Sequence, residues 1–225
     1  MPHALIEIAL DDGAVDAAVA TPPTPGRHPP ILLLGGRRGL DSRLLSWAAR
    51  LSAHSFFVLA PDLSDLSADD RREAGWAALD HLADERACDD ERVGVVGFGA
   101  GADLALVLAG WRAERIAAVA AYGGRGFGPR SAVEIAQRIN GFVRIGYQLG
   151  GHAGRAGVVE TALAAAGVLF DIEVYGEEPD GPGLIDLMHR VLRPAAAASR
   201  AFEADNPATP APPWRISGGA PPLPR

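Results

Sequence analysis

The chain has 225 residues, 48% of them hydrophobic and 22% charged, which is enough apolar content for the full core of one α/β domain. A net charge of −7 and a pI near 5.3 argue against a nucleic-acid partner, because phosphate binding needs a concentrated basic face. All 21 basic residues are Arg, so no Lys can form a Schiff base; a single cysteine, Cys88, excludes an intrachain disulfide, and no Cys/His cluster has zinc spacing. No metal and no cofactor are therefore expected. The opening Met1-Pro2-His3-Ala4-Leu5-Ile6-Glu7 has no basic segment followed by a long apolar run, and no uncharged apolar run approaches the ~18 residues of a membrane span. The expectation is a cytoplasmic protein with no signal peptide and no membrane partner.

Residues 3–8 and 14–20 alternate as a strand pair around Asp11-Asp12-Gly13. After the loop Thr21-Pro22-Pro23-Thr24-Pro25-Gly26, the run Ile31-Leu32-Leu33-Leu34 reads as a strand buried on both faces and ends at Gly35-Gly36-Arg37-Arg38-Gly39. A helix is predicted over 41–53, with Leu44, Leu45, Ala48 and Leu51 at helical spacing. Phe56–Ala60 is the next strand, followed by a helix over 68–87 with Trp76, Leu79 and Leu82 on its inner face. A strand over 93–97 leads into a helix over 100–110, and Ile116–Ala121 is another central strand. Ser131 and Glu134 have the spacing of a capping box for a helix to about Arg138. Strands over 142–145 and 168–174 flank a helix at 155–166, and a last helix covers 183–203. The alternation predicts a doubly wound, mostly parallel sheet in one domain over 1–205. Residues 206–225 are Pro-rich and read as an extended tail or arm.

The stretch from Arg92 to Leu106 reads as a buried strand, a glycine-dense corner and an apolar helix, the layout of a nucleophile elbow, G-x-S/C-x-G. Gly97 and Gly101 stand at the outer positions, and Gly99 stands in the middle. Asp12-Gly13, the string Ile31 to Gly39, Leu51, Val58-Leu59-Ala60-Pro61-Asp62-Leu63, Arg92 to Phe98 and Tyr122-Gly123 follow in an order that resembles the dienelactone hydrolase family over most of residues 11–175. The resemblance implies the α/β-hydrolase fold without a large cap domain.

The resemblance also implies a catalytic pattern from which this chain departs. The family's nucleophile is a Cys, and Gly99 occupies that position. The family's acidic residue near the nucleophile falls on Gly36. Its triad Asp should follow Ile145-Gly146, but the segment reads Tyr147-Gln148-Leu149-Gly150-Gly151-His152, with no Asp or Glu between Asn140 and Glu160. Its triad His falls on Asp180, after Tyr175-Gly176. Covalent acyl transfer needs a nucleophile within reach of an oriented base, and no hydroxyl or thiol lies between Val93 and Leu108. Gly at the elbow removes the strain of order 1–3 kcal/mol that a side chain bears there, and it enlarges the floor of the cleft.

The ligand site of an open α/β sheet lies beyond the carboxyl ends of its strands. The candidates for catalysis are Arg37, His152, Asp180 and Tyr147; those for substrate binding are Arg38, Phe98, Gly99, Ala100, Tyr122, Gln148 and Glu177. Arg37 or Arg38 reads either as a bidentate partner for a carboxylate or enolate oxygen or as a solvated loop charge. The resemblance places the amides of Arg37 and Ala100 at the oxyanion hole. His152 is a general acid–base group or an exposed loop residue. Asp180 is a base or a turn residue before Gly181, and Tyr147 is a hydrogen-bond donor or a cleft wall. His189 falls inside the last helix, Cys88 at the far end of the sheet and Asp62 in a strand-end turn. Trp47, Trp76 and Trp111 read as core or interface anchors, and Trp214 as a docking residue of the arm.

Three functional readings follow. The first is a cofactor-free, non-hydrolytic enzyme of cyclase, isomerase or lyase type, acting on a small organic substrate. The second is an inactive pseudo-hydrolase that binds a ligand or serves as a scaffold, as a homo-oligomer held by the tail. The third is a weak hydrolase that works without a covalent intermediate.

Overall fold

A computed structural model describes residues 3–88, 92–127, 129–150 and 156–192. His152, residues 193–203 of the predicted last helix and the Pro-rich segment 206–225 with Trp214 lie outside the described residues.

The chain opens with a hairpin, β1 (Ala4–Leu10) and β2 (Gly13–Ala20), paired antiparallel from Ala4↔Val19 to Leu10↔Gly13. Then follow β3 (Pro30–Leu34), α1 (Ser42–Ala53), β4 (Phe57–Pro61), α2 (Ala68–Asp84), β5 (Val93–Phe98), α3 (Ala100–Trp111), β6 (Ile116–Tyr122), α4 (Pro129–Ala136), β7 (Phe142–Gln148), α5 (Ala156–Ala165), β8 (Phe170–Tyr175) and α6 (Gly181–Leu192). They build an eight-stranded sheet in the order β1-β2-β4-β3-β5-β6-β7-β8. The β1–β2 and β2–β4 pairs are antiparallel and the others parallel. This is the α/β-hydrolase fold, and no cap is inserted among the described residues.

Every residue of β3, β4 and β6 is buried, as strands covered on both faces must be. One face packs against α1 and α6 through Leu44, Trp47, Leu51, Leu184 and Met188. The other packs against α2, α3, α4 and α5 through Leu79, Leu82, Leu104, Leu108, Ala132 and Leu163. The helix α3 is apolar almost all round because it lies between the sheet and its neighbours. Parallel strands bring their carboxyl ends to one edge, so the loops after β3, β5, β6, β7 and β8 gather there.

Several boundaries differ from the sequence reading. The helix α2 stops at Asp84, three residues before the predicted end, because Glu85 turns to an extended conformation. Ser131 caps nothing: Pro129 already opens α4, where its fixed φ suits the first turn, and Glu134 instead meets Arg130. A capping box stands instead at Ser67 and Asp70, at the start of α2. Trp111 is 56% exposed, with the Arg138 guanidinium 4.2 Å over its ring, so it is no core anchor. Trp47 is buried, Trp76 is half-buried, and His189 packs on Phe56 at 4.4 Å. Cys88 is buried, and its backbone pairs in parallel with that of His28. No helix among the described residues is long and apolar enough to cross a membrane.

Candidate ligand cleft at the strand–helix corner

The corner between β5 and α3 turns at Gly99, whose φ of 58° and ψ of −118° lie where an L side chain is strained. The Gly99 amide donates to the Tyr122 carbonyl at 2.8 Å, and the Ala102 amide donates to the Gly99 carbonyl at 3.1 Å. The three glycines of the corner serve different ends. A Cβ at Gly97 would collide with the Gly101 backbone, and one at Gly101 with the backbone of Leu34 and Gly35, so both are fixed by close packing. A Cβ at Gly99 would meet nothing within 4 Å. The middle position is open space.

The loop after β3 closes on this corner. The Cβ position of Gly36 lies 3.6 Å from the Phe98 carbonyl and 4.0 Å from the Ala100 amide. The Asp62 carboxylate packs beneath Gly39 and accepts from the Ser64 amide at 3.0 Å and its hydroxyl at 2.8 Å, which keeps the end of β4 folded under the loop. Between loop and corner lies a cleft of about 360 Å³ whose polar and aromatic lining is Arg37, Arg38, Asp41, Arg43 and Phe98, with Gly99 in its wall. Asp41 is the N-cap of α1 and accepts from the Leu44 amide at 2.8 Å. The Arg43 guanidinium stands 5.9 Å over the Phe98 ring and donates to the Glu177 carbonyl at 3.4 Å. Arg37 and Arg38 are exposed and make no hydrogen bond or ion pair among the described residues.

Behind the cleft runs a row of rings: Trp47 to Phe98 at 5.5 Å, Phe98 to Tyr122 at 5.6 Å and Tyr122 to Tyr175 at 5.8 Å. The row ends in a polar network. The Tyr122 phenol donates to Glu173 Oε2 at 3.2 Å, and the Asp180 amide donates to Glu173 Oε1 at 2.6 Å. On the same face Arg144 makes a bidentate pair with Asp171, with contacts of 2.6–3.1 Å. Burial first, and then the Glu173 charge, push the Tyr122 phenol far above its ordinary range, so it stays protonated as the donor.

Residues 66–179, half of the chain, match the Dienelactone hydrolase family. The chain belongs to the dienelactone hydrolase family. A Klebsiella pneumoniae protein assigned as a dienelactone hydrolase has 18% identity, covering 90% of this chain and 97% of its own, with a TM-score of 0.68. Dienelactone hydrolase from Anabaena variabilis has 17% identity over 90% of this chain and 94% of its own, with a TM-score of 0.65. Est1E from Butyrivibrio proteoclasticus has 10% identity over 88% and 99%, with a TM-score of 0.66. At these identities the likeness is one of fold. No curated protein matches the sequence.

In this family member the predicted site residues do not all converge. Arg37, Arg38, Phe98 and Gly99 share the cleft, and Ala100 opens α3 directly behind Gly99. Tyr122 is 1% exposed and lies behind Phe98, so it shapes the wall rather than touching a ligand. Tyr147 is on the other face of β7, against the cluster that contains Val159, and lines a small cavity with Asp103. Burial, then Glu160, raise its phenol above its ordinary range. The period of 2 in a strand accounts for this placement, since Gly146 and Gln148 are the β7 residues that share a face with Arg144. Gln148 is exposed at the end of β7, and Glu177 is exposed in the loop after β8, meeting the cleft only through its carbonyl. Asp180 is the residue before α6, where its carbonyl accepts from the Leu184 amide at 3.0 Å and its carboxylate lies against Gly183. It serves the helix start.

Arg43, Arg144 and Glu173 were not singled out from the sequence. Arg43 sits two residues after the cap Asp41, in a first helical turn that faces the glycine loop. Arg144, Asp171 and Glu173 were readable as charges on one face of two otherwise apolar strands, which need partners when half-buried. Among the described residues no group of His, Cys, Asp and Glu could hold a metal ion.

Proposed function

We propose that this family member uses the elbow cleft to hold a small organic ligand noncovalently, as a non-hydrolytic pseudo-hydrolase without a cofactor. One observation carries this reading: Gly99 keeps the elbow backbone while offering open space where a nucleophile side chain would stand, beside Arg37 and Arg38, whose charges meet no partner among the described residues. Neither Tyr147 nor Asp180 reaches this cleft, so its described lining contains no free group suited to proton transfer near neutral pH. Guanidinium groups bind and orient an oxyanion by bidentate hydrogen bonds but do not exchange protons.

The second reading, a cyclase, isomerase or lyase acting on the same ligand, draws on the closeness of Gly36 to the Ala100 amide. Amides and guanidinium groups fixed around a developing oxyanion are a source of electrostatic catalysis. The two readings share the absence of an acyl-enzyme. The purified chain is expected to show no burst and no turnover of p-nitrophenyl acetate above the solution background. Turnover that Arg37→Ala abolishes would overturn both and restore hydrolysis.

A further inference from the structure

Five described arginines, Arg50, Arg72, Arg112, Arg130 and Arg144, each meet a carboxylate. Others, Arg27, Arg71 and Arg115 among them, are held by backbone carbonyls. The cleft gathers three, Arg37, Arg38 and Arg43, that have no carboxylate partner among the described residues. Arg43 contacts a ring and a backbone carbonyl, neither of which neutralises it. Asp41, the one carboxylate in the lining, is turned to the Leu44 amide. In a chain with 28 acidic and 21 basic residues, acids are in surplus, so this gathering of positive charge is a property of the place. Like charges brought together around a concave surface repel, and an anion of higher charge relieves the repulsion more than a singly charged one.

We infer that the ligand of this cleft is an organic phosphate monoester, its phosphoryl group held by Arg37, Arg38 and Arg43 and its carbon body against Phe98. The inference rests on the noncovalent reading of the cleft. A phosphate monoester carries nearly two charges at neutral pH, with a second pKa of about 6, and offers three acceptor oxygens to the planar forks of arginine. A carboxylate supplies one charge. The half-buried Phe98 ring, braced from behind by Trp47 and Tyr122, gives an apolar surface that free phosphate would leave unused.

The test is calorimetric titration of the full chain at pH 7.5 and low salt with phenyl phosphate, benzoate and inorganic phosphate. Phenyl phosphate is expected to bind at least tenfold tighter than either of the others, and to weaken severalfold at pH 5.5 as the dianion takes up a proton and becomes the monoanion. The exposed double variant Arg37→Gln/Arg38→Gln, its fold checked by thermal melting, is expected to lose at least tenfold in phenyl phosphate affinity. Benzoate binding as tightly as phenyl phosphate, or a double variant that binds unchanged, overturns the inference while leaving the noncovalent reading intact. That reading fails separately, on turnover of p-nitrophenyl acetate.

Discussion

Tyr122 donates its phenolic hydrogen to Glu173 across the width of β7, at 3.2 Å, with its ring stacked behind Phe98. The bond joins the central strand β6 to the edge strand β8 and to the start of α6, because the same carboxylate receives the Asp180 amide. Replacing Tyr122 by Phe keeps the ring and removes the donor. The acceptor is a half-buried, charged carboxylate, and a hydrogen bond to a charged group contributes about 1.5–3 kcal/mol. Tyr122→Phe is therefore expected to lower stability by that amount, measured from urea midpoints; an unchanged midpoint would show that the bond contributes nothing net.

The corner glycines separate steric from conformational requirements. Gly99→Ala faces open space, so its cost is that of the backbone conformation alone, about 1–3 kcal/mol, and the variant should fold. Gly101→Ala drives a methyl group into the backbone of Leu34 and Gly35 and should yield no folded protein. Expression followed by thermal melting distinguishes them, and two equally stable variants would contradict the described packing.

Asp103 lies in the first turn of α3, where it accepts from the Arg125 amide at 3.1 Å and the Gly126 amide at 2.9 Å. Burial is the largest influence on it and, against those two bonds, leaves its carboxyl above the ordinary value of 3.8. The folded state thus binds the proton more tightly than the unfolded state. The stability this confers is present below the unfolded pKa and is lost as pH rises through the folded one. Asp103→Asn removes that loss, so the stability of the variant relative to the parent should improve from pH 3 to pH 7. Denaturation midpoints at both pH values test the sign, and a relative decline would refute it.

Ser67 and Ser131 both precede an acidic residue by three positions, and only Ser67 caps a helix. Ser67→Ala should cost about 1 kcal/mol, whereas Ser131→Ala, inside a helix, should stay within about 0.5 kcal/mol. Chemical denaturation of the two variants side by side decides the matter.

That contrast shows where the sequence is informative. Strands such as Ile31–Leu34 and Ile116–Tyr122 were legible because only a doubly covered strand tolerates so unbroken an apolar run. The corner at Gly97-Phe98-Gly99-Ala100-Gly101 was legible from spacing. Ser131 misled because Pro129, two residues earlier, already supplied the helix start. The cleft was half legible: the glycine loop placed Arg37 and Arg38, but which face Tyr147 takes depends on strand parity counted from Arg144. Asp180 stands directly before α6, where its place beside Gly181 in the sequence is that of a turn residue. The Tyr122–Glu173 bond depends on the register that sets Gly146 between Tyr122 and Glu173, and no local pattern announces a register.

Substitutions that would build an acyl-transfer site at this corner face unequal obstacles. The space over Gly99 would admit the Cβ of a serine or cysteine. The obstacle lies across the cleft. A histidine at position 180 must give up the carboxylate that lies against Gly183 at the start of α6, and the neighbouring Glu173 is already bound to Tyr122. Introducing a nucleophile would be one local step, whereas introducing a base would require rebuilding the end of the sheet that anchors the last helix.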